Sequence, residues 1–251
     1  MTDSRIPIEG LSHSVSGFCT TRHNGVSVEP FDSLNLAEHV GDDQAHVLIN
    51  RQRLAQWLPQ DPVWVEQVHG VRVLDARALP DPSDRQADAL VTTVPGQVLG
   101  ILTADCMAVV MADDAGRALG VAHAGWRGLA AGVLQATAQA MEQASGQGLG
   151  AWRAWIGPCI GAAAFQVGEE VREAFVAHDA ALQIHFVKDA APHKWRCNMP
   201  GIAQDILRAQ GAQTVSWCGL CTVEDERQRF FSYRRSAQTG RMATVAWIND
   251  H

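Results

Sequence analysis

Two short apolar runs, VLGILT (98–103) and ALGVAH (118–123), stand on either side of the turn-forming DDAGR (113–117), and an Ala-, Leu- and Gln-rich stretch, 125–144, follows at once. This alternation constrains the fold more than any other feature. Six apolar residues suit a buried strand, whereas the long Ala-rich stretch suits a helix. The pattern recurs along the chain. PVWVEQVHG (62–70) alternates like a half-buried strand ending at His69, and TVSWC (214–218) and MATVAWI (242–248) read as strands. Helices are expected over 44–58, 168–178 and 200–210. Asp42 or Asp43 caps the first, whose apolar residues are Val47, Leu48, Leu54, Trp57 and Leu58. Asn198 and Pro200 open the last, and Gly211 stops it. Strands and helices mixed in this way predict an α/β (α+β) fold, a layered sandwich around a mixed sheet. With 251 residues and no long linker, repeat or low-complexity tract, the chain reads as one domain, 1–251. ALPDPSDRQA (78–87) is its most loop-like segment.

A formal net charge of −7 gives no electrostatic footprint for nucleic acid. No apolar run approaches the ~20 residues needed to span a bilayer. The opening MTDSRIPIEG lacks a basic segment followed by a long apolar one, so a cytoplasmic location is expected. Six cysteines spread over a chain this long read as reduced thiols.

Chemistry concentrates where strands end. His69, Cys106 and His123 each fall at or just beyond the C-terminal end of an expected strand, the edge where layered α/β folds build sites. Two imidazoles and a thiolate suit Zn²⁺, and three protein ligands leave a fourth position open. Cu²⁺ is compatible with the same donors. The plainer reading makes each a packed core or surface residue, and their spacing matches no short metal motif. Cys159, in IGPCIG, is an alternative ligand. Cys218 and Cys221 form a lone C-G-L-C with no second pair to complete a zinc knuckle, which favours structural thiols.

A helix opening directly after His123 would turn its N-terminus toward such a site. On that helix Arg127 lies one turn beyond His123 and would reach an anion beside the metal. Arg22, Arg234 and Arg235 are further candidates for phosphate or ribose contacts; the alternative for each of the four is a structural ion pair. Asp88 and Asp105 are candidates to orient a ligand histidine or to act as a base, or else they cap strand ends.

The chain resembles the YfiH-like family, also described as laccase-domain or multicopper polyphenol oxidoreductases. The resemblance rests on TRHNGVS (21–27), SLNLAEHVGDD (33–43), QVHG (67–70), ADALVT (87–92), TADC (103–106), HAGWRGL (123–129), IGPCIG with FQVGEEV (156–171) and FFSYRR with TGR (230–241). Asn24 and Ala108 depart from the family's usual Gly and Pro without removing a ligand. The resemblance implies a fold sometimes grouped with cysteine hydrolases. It also implies a catalytic zinc on His69, Cys106 and His123. The activity implied is phosphorolysis of adenosine, inosine, guanosine and methylthioadenosine, with deamination of adenosine. The partners are then purine nucleosides and phosphate.

Three other functions compete. Cys106 as nucleophile with His123 as base would make a metal-free hydrolase. An amide hydrolase acting on a peptidoglycan precursor is a related alternative. A copper polyphenol oxidase is disfavoured, because a laccase needs paired His-x-His motifs and the ten histidines here form none. A non-catalytic scaffold leaves the clustered Cys, His and Arg without purpose. Nothing in the sequence fixes the oligomeric state.

Overall fold

The computed structural model describes residues 4–146 and 148–250. The chain runs through β1 (Arg5–Pro7), β2 (Val15–Thr20), α1 (Gln44–Ala55), β3 (Val73–Asp75), β4 (Ala89–Thr92) and β5 (Leu99–Thr103). It continues with β6 (Met107–Asp113), β7 (Leu119–Ala124), α2 (Trp126–Ala131), α3 (Val133–Ser145), β8 (Trp152–Ile156) and β9 (Gln166–Gly168). The last part holds α4 (Glu169–Val176), β10 (Phe186–Lys188), β11 (Lys194–Cys197), α5 (Met199–Ala209), β12 (Thr214–Trp217) and β13 (Met242–Ile248).

The expected mixed layered fold is present. A six-stranded sheet, ordered β12-β8-β6-β7-β4-β3, has parallel pairs at both edges and antiparallel pairs at its centre. A four-stranded antiparallel sheet, β1-β2-β13-β5, packs against it. Period-two alternation assigns each strand's residues to two cores. In β6, Met107, Val109 and Met111 join a core with α3 and α5, while Ala108, Val110 and Ala112 face the second sheet. In β13, Met242, Ala246 and Ile248 close the space between the sheets, and Ala243 and Val245 turn to a third core under α1. Fully buried strands such as β6 and β7 read as continuous apolar runs because neither face meets water.

Several local expectations need correcting. PVWVEQVHG forms no strand: it is extended, holds only isolated bridges at Val63 and Glu66, and turns sharply at His69 with φ 61°. The runs at 98–103 and 118–123 lie in different sheets. Strand β6, which extends the apolar run beyond Cys106, lies between them in sequence and pairs with β7, while β5 pairs with β13. The long helix after His123 is two helices, because Gly132 adopts φ 99° and breaks it. Helix α1 ends at Ala55; Asp43 caps it by accepting from Ala45 N at 2.8 Å. Asp42 instead sits in a buried network with Ser27 and Asn35. Leu48 is exposed rather than part of the packed face. In α5, Asn198 caps Gly201 N at 3.1 Å and Gly211 stops the chain at φ 94°.

Candidate active site

The register of β6 and β7 pairs Ala108 with His123 and ends on Met107 with Ala124, so the next step sets Cys106 opposite Gly125. His123 continues the row of Leu119 and Val121 that faces the second sheet, and Cys106 continues the row of Ala108 and Val110. The third donor arrives from the segment that turns at His69. The ligand atoms of His69, Cys106 and His123 all lie within 4.8 Å of one another. Sγ of Cys106 is 4.0 Å from Nε2 of His69, and the two imidazoles meet edge to face at 4.7 Å between ring centres. A tetrahedral ion with bonds of ~2.0–2.3 Å holds its donors roughly 3.3–3.8 Å apart, so the set is close to closed.

Asp88 organises this set. Its carboxylate is fully buried and accepts from His69 N at 2.9 Å, Gly70 N at 2.6 Å and Val68 N at 3.2 Å. The same carboxylate lies 2.7 Å from Nδ1 of His123. A proton on Nδ1 makes that bond and leaves the Nε2 lone pair for a metal. One carboxylate therefore fixes the backbone turn that carries one ligand and the tautomer of another. Burial pushes the Asp88 carboxyl up, but the His123 hydrogen bond and the backbone donors outweigh it and hold it below the usual carboxylate range. For Cys106, burial raises the thiol pKa, yet His123 and His69 bring it down to about 6. Burial likewise opposes a charge on His123, while Asp88 and Cys106 raise its pKa to about 9. These are the charges of a site built for a thiolate.

Gly125 completes the cradle. A Cβ there would lie 2.9 Å from Cys106 Sγ and 3.0 Å from His69 Cδ2. Only glycine lets the chain cross so close to the donor cluster.

The donors open into a cavity of about 530 Å³. Trp126, Phe165 and Tyr233 line it with aromatic surface, and Arg127, Arg234 and Arg241 line it with guanidinium groups. His123 belongs to a strand, so the expected one-turn relation between His123 and Arg127 does not exist; Arg127 reaches the cavity from α2 and stacks on Trp126 at 4.4 Å. It has no carboxylate partner among the described residues. Arg234 stacks on Phe165 at 5.2 Å and donates to the carbonyls of Ala164 and Gln166. Arg22 and Arg235 do not line the cavity. Arg22 is ion-paired to Asp32 at 2.7 Å, and Arg235 spends its guanidinium on the carbonyls of Thr222 and Phe230. Asp105 touches neither histidine. It accepts from Thr222 Oγ1, Ser232 Oγ and Arg234 N, and so ties the 222–234 loop to the cavity floor. Cys159 is buried outside the donor group, and Cys221 accepts from Gly161 N and Glu224 N. Arg241 was not among the arginines expected here, although it closes the TGR motif.

The sequence profile of a family described as multi-copper polyphenol oxidoreductase laccase matches residues 16–249. The chain belongs to this family. Among laccase-like family members, a Pseudomonas aeruginosa protein named purine nucleoside phosphorylase is 46% identical over 232 residues, covering 92% of each chain. The Escherichia coli K12 purine nucleoside phosphorylase YfiH is 44% identical over 236 residues, covering 93% of this chain and 94% of its own. A solved Neisseria meningitidis structure superposes with a TM-score of 0.88 at 36% identity, covering 98% of this chain and all of that one. A Bacillus licheniformis YfiH structure gives a TM-score of 0.83 at 30% identity, over 94% and 93% of the two chains. No helix of the described residues is long and apolar enough to cross a membrane.

Proposed function

We propose that this chain is a zinc-dependent purine nucleoside phosphorylase that also deaminates adenosine and works in the cytoplasm. The observation that carries this reading is the convergence of three metal donors on a cavity whose remaining wall is aromatic and guanidinium-rich. The names of the two relatives support the phosphorylase part. The wider substrate set and the deaminase activity rest on the family resemblance.

The residues present fit a metal: two imidazoles, a thiolate, an oriented tautomer and an open side toward the cavity. Zinc held there supplies a Lewis acid and an ionisable water near neutral pH. The protein's own groups do the rest. The volume suits a nucleoside-sized ligand. Trp126, Phe165 and Tyr233 offer faces on which a purine stacks. Arg127 and Arg234, exposed at the rim, draw phosphate inward. Phosphate oxygen then bonds to the anomeric carbon as the glycosidic C–N bond breaks. The electron pair leaves with the base, which takes up a proton, and ribose 1-phosphate remains.

A metal-free thiol hydrolase is the second reading, favoured by the thiolate–imidazolium character of Cys106 and His123. A multicopper laccase finds less support, because the described residues hold one three-donor group rather than ligands for four coppers. Incubation with adenosine separates these readings. With phosphate, the products should be adenine and ribose 1-phosphate, and chelation should stop their release. Without phosphate, only inosine should form. Activity that survives chelation but dies on thiol alkylation would favour the hydrolase, and adenine release without phosphate would refute phosphorolysis.

A further inference from the structure

Arg241 is the one cavity guanidinium that is not at the exposed rim; it is half-buried, and it lies at the base of β13. Its main chain is locked: Arg241 N donates to Asn35 Oδ1 at 3.0 Å, and its carbonyl accepts from Leu36 N. Nη1 donates to the carbonyls of Thr239 and Gly240 at 2.8 and 3.0 Å. Nε and Nη2, the edge that grips an oxyanion with two parallel bonds, find no hydrogen-bond partner among the described residues. No carboxylate among the described residues pairs with it. Among the described residues Asp105 is the only carboxylate lining the cavity, and both its oxygens are already taken by Thr222, Ser232 and Arg234 N. The charges of Cys106 and Asp105 reach Arg241 and favour its cation, while burial, the larger influence, opposes it. A half-buried guanidinium with no ion-paired carboxylate and a free two-donor edge suits an anionic ligand.

Thr103 at the end of β5 is the register partner of Met242, the residue after Arg241, and it lines the same cavity. Its hydroxyl is closed off from the cavity and has no hydrogen-bond partner among the described residues.

We infer that Arg241 forms the inner phosphate-binding subsite of the cavity, and that Arg127 and Arg234 only guide the anion in. In the phosphorylase reading, on which this rests, the subsite holds the attacking phosphate on the β5–β13 wall near the metal donors. The bidentate edge fixes its orientation, and the pre-set turn through Thr239 and Gly240 keeps the side chain in place without a carboxylate partner.

Calorimetric titration with inorganic phosphate, on the protein as purified and without nucleoside, tests this directly. Arg241→Met should weaken binding by roughly 10- to 150-fold, the loss of a charge-assisted contact. Arg241→Lys should recover only part of it, since an ammonium lacks the fork. Equal phosphate affinity in wild type and a folded Arg241→Met would overturn the inference and leave the phosphorylase reading standing. Loss of phosphate binding in Arg241→Met, with no phosphorolysis by wild type, would keep the anion subsite and overturn the phosphorylase reading. Wild type that binds no phosphate at all would overturn both.

Discussion

Replacing Asp88 with Asn changes one atom's charge and no shape, yet it should dismantle the site. Oδ1 serves His69 N and His123 Nδ1, while Oδ2 serves Gly70 N and Val68 N. An amide has one acceptor oxygen and one donor NH₂. If the oxygen stays with His123, the NH₂ faces two backbone N–H groups, and both lose their partner. Each orphaned buried donor costs about 1–3 kcal/mol, so this orientation costs about 2–6 kcal/mol. If the amide flips, the NH₂ meets His69 N and His123 Nδ1. The imidazole must then accept through Nδ1 and carry its proton on Nε2, the atom the metal needs. Either way metal affinity falls, by the ~10- to 100-fold typical of losing a group that orients a ligand. The first orientation also lowers the melting temperature by roughly 4–24 °C for a chain of this size. Competition against a zinc chelator, with a melting curve on the same sample, measures both. An Asp88→Asn protein with wild-type affinity and wild-type melting would refute the role assigned to this carboxylate.

Gly125→Ala should fold, because Gly125 has φ −69°, but its Cβ would push Cys106 Sγ or His69 out of position, and metal affinity should fall at least ~10-fold in the same competition assay. Acid lability should involve Asp113, which is buried, ion-paired to Arg117 at 2.6 Å, and held by these contacts below the usual carboxylate range despite its burial. A depressed carboxyl stabilises the fold fully above its unfolded value of about 3.9, and this stabilisation is lost as pH falls toward the folded value. Urea melts should show Asp113→Asn destabilised by about 1–3 kcal/mol at pH 7, with the gap closing below pH 4; a gap constant with pH would contradict this. Arg127→Ala, an exposed change, should slow phosphate-dependent turnover only a few-fold and reduce its salt sensitivity; a loss as large as that of Arg241→Met would contradict the division between rim and inner wall.

The sequence was most legible where local chemistry decides structure. Asn198, Pro200 and Gly211 bound α5, and Asp43 caps α1, because capping and turn preferences act over a few residues. It was least legible where distant segments meet. His69 reads as the end of a strand, but Asp88 gathers three consecutive backbone N–H groups around it and bends the chain into a left-handed turn. Alternation alone cannot register that competition. Strand β6 was hidden because its two faces enter two different cores, so no polar residue marks its period. The helix after His123 looks continuous by composition, and only the positive φ of Gly132 divides it. Among the arginines, nothing in the sequence separates Arg22, neutralised by Asp32, from Arg241, which has no such partner. The partner, not the residue type, makes the difference.

The central claim is that His69, Cys106 and His123 together hold one metal ion. Elemental analysis of the protein as purified, alongside Cys106→Ala and His123→Ala, addresses it most directly. The account predicts about one zinc per chain in the wild type and a near-complete loss in both variants, with circular dichroism showing the fold retained. Full zinc occupancy in a folded Cys106→Ala protein would contradict it.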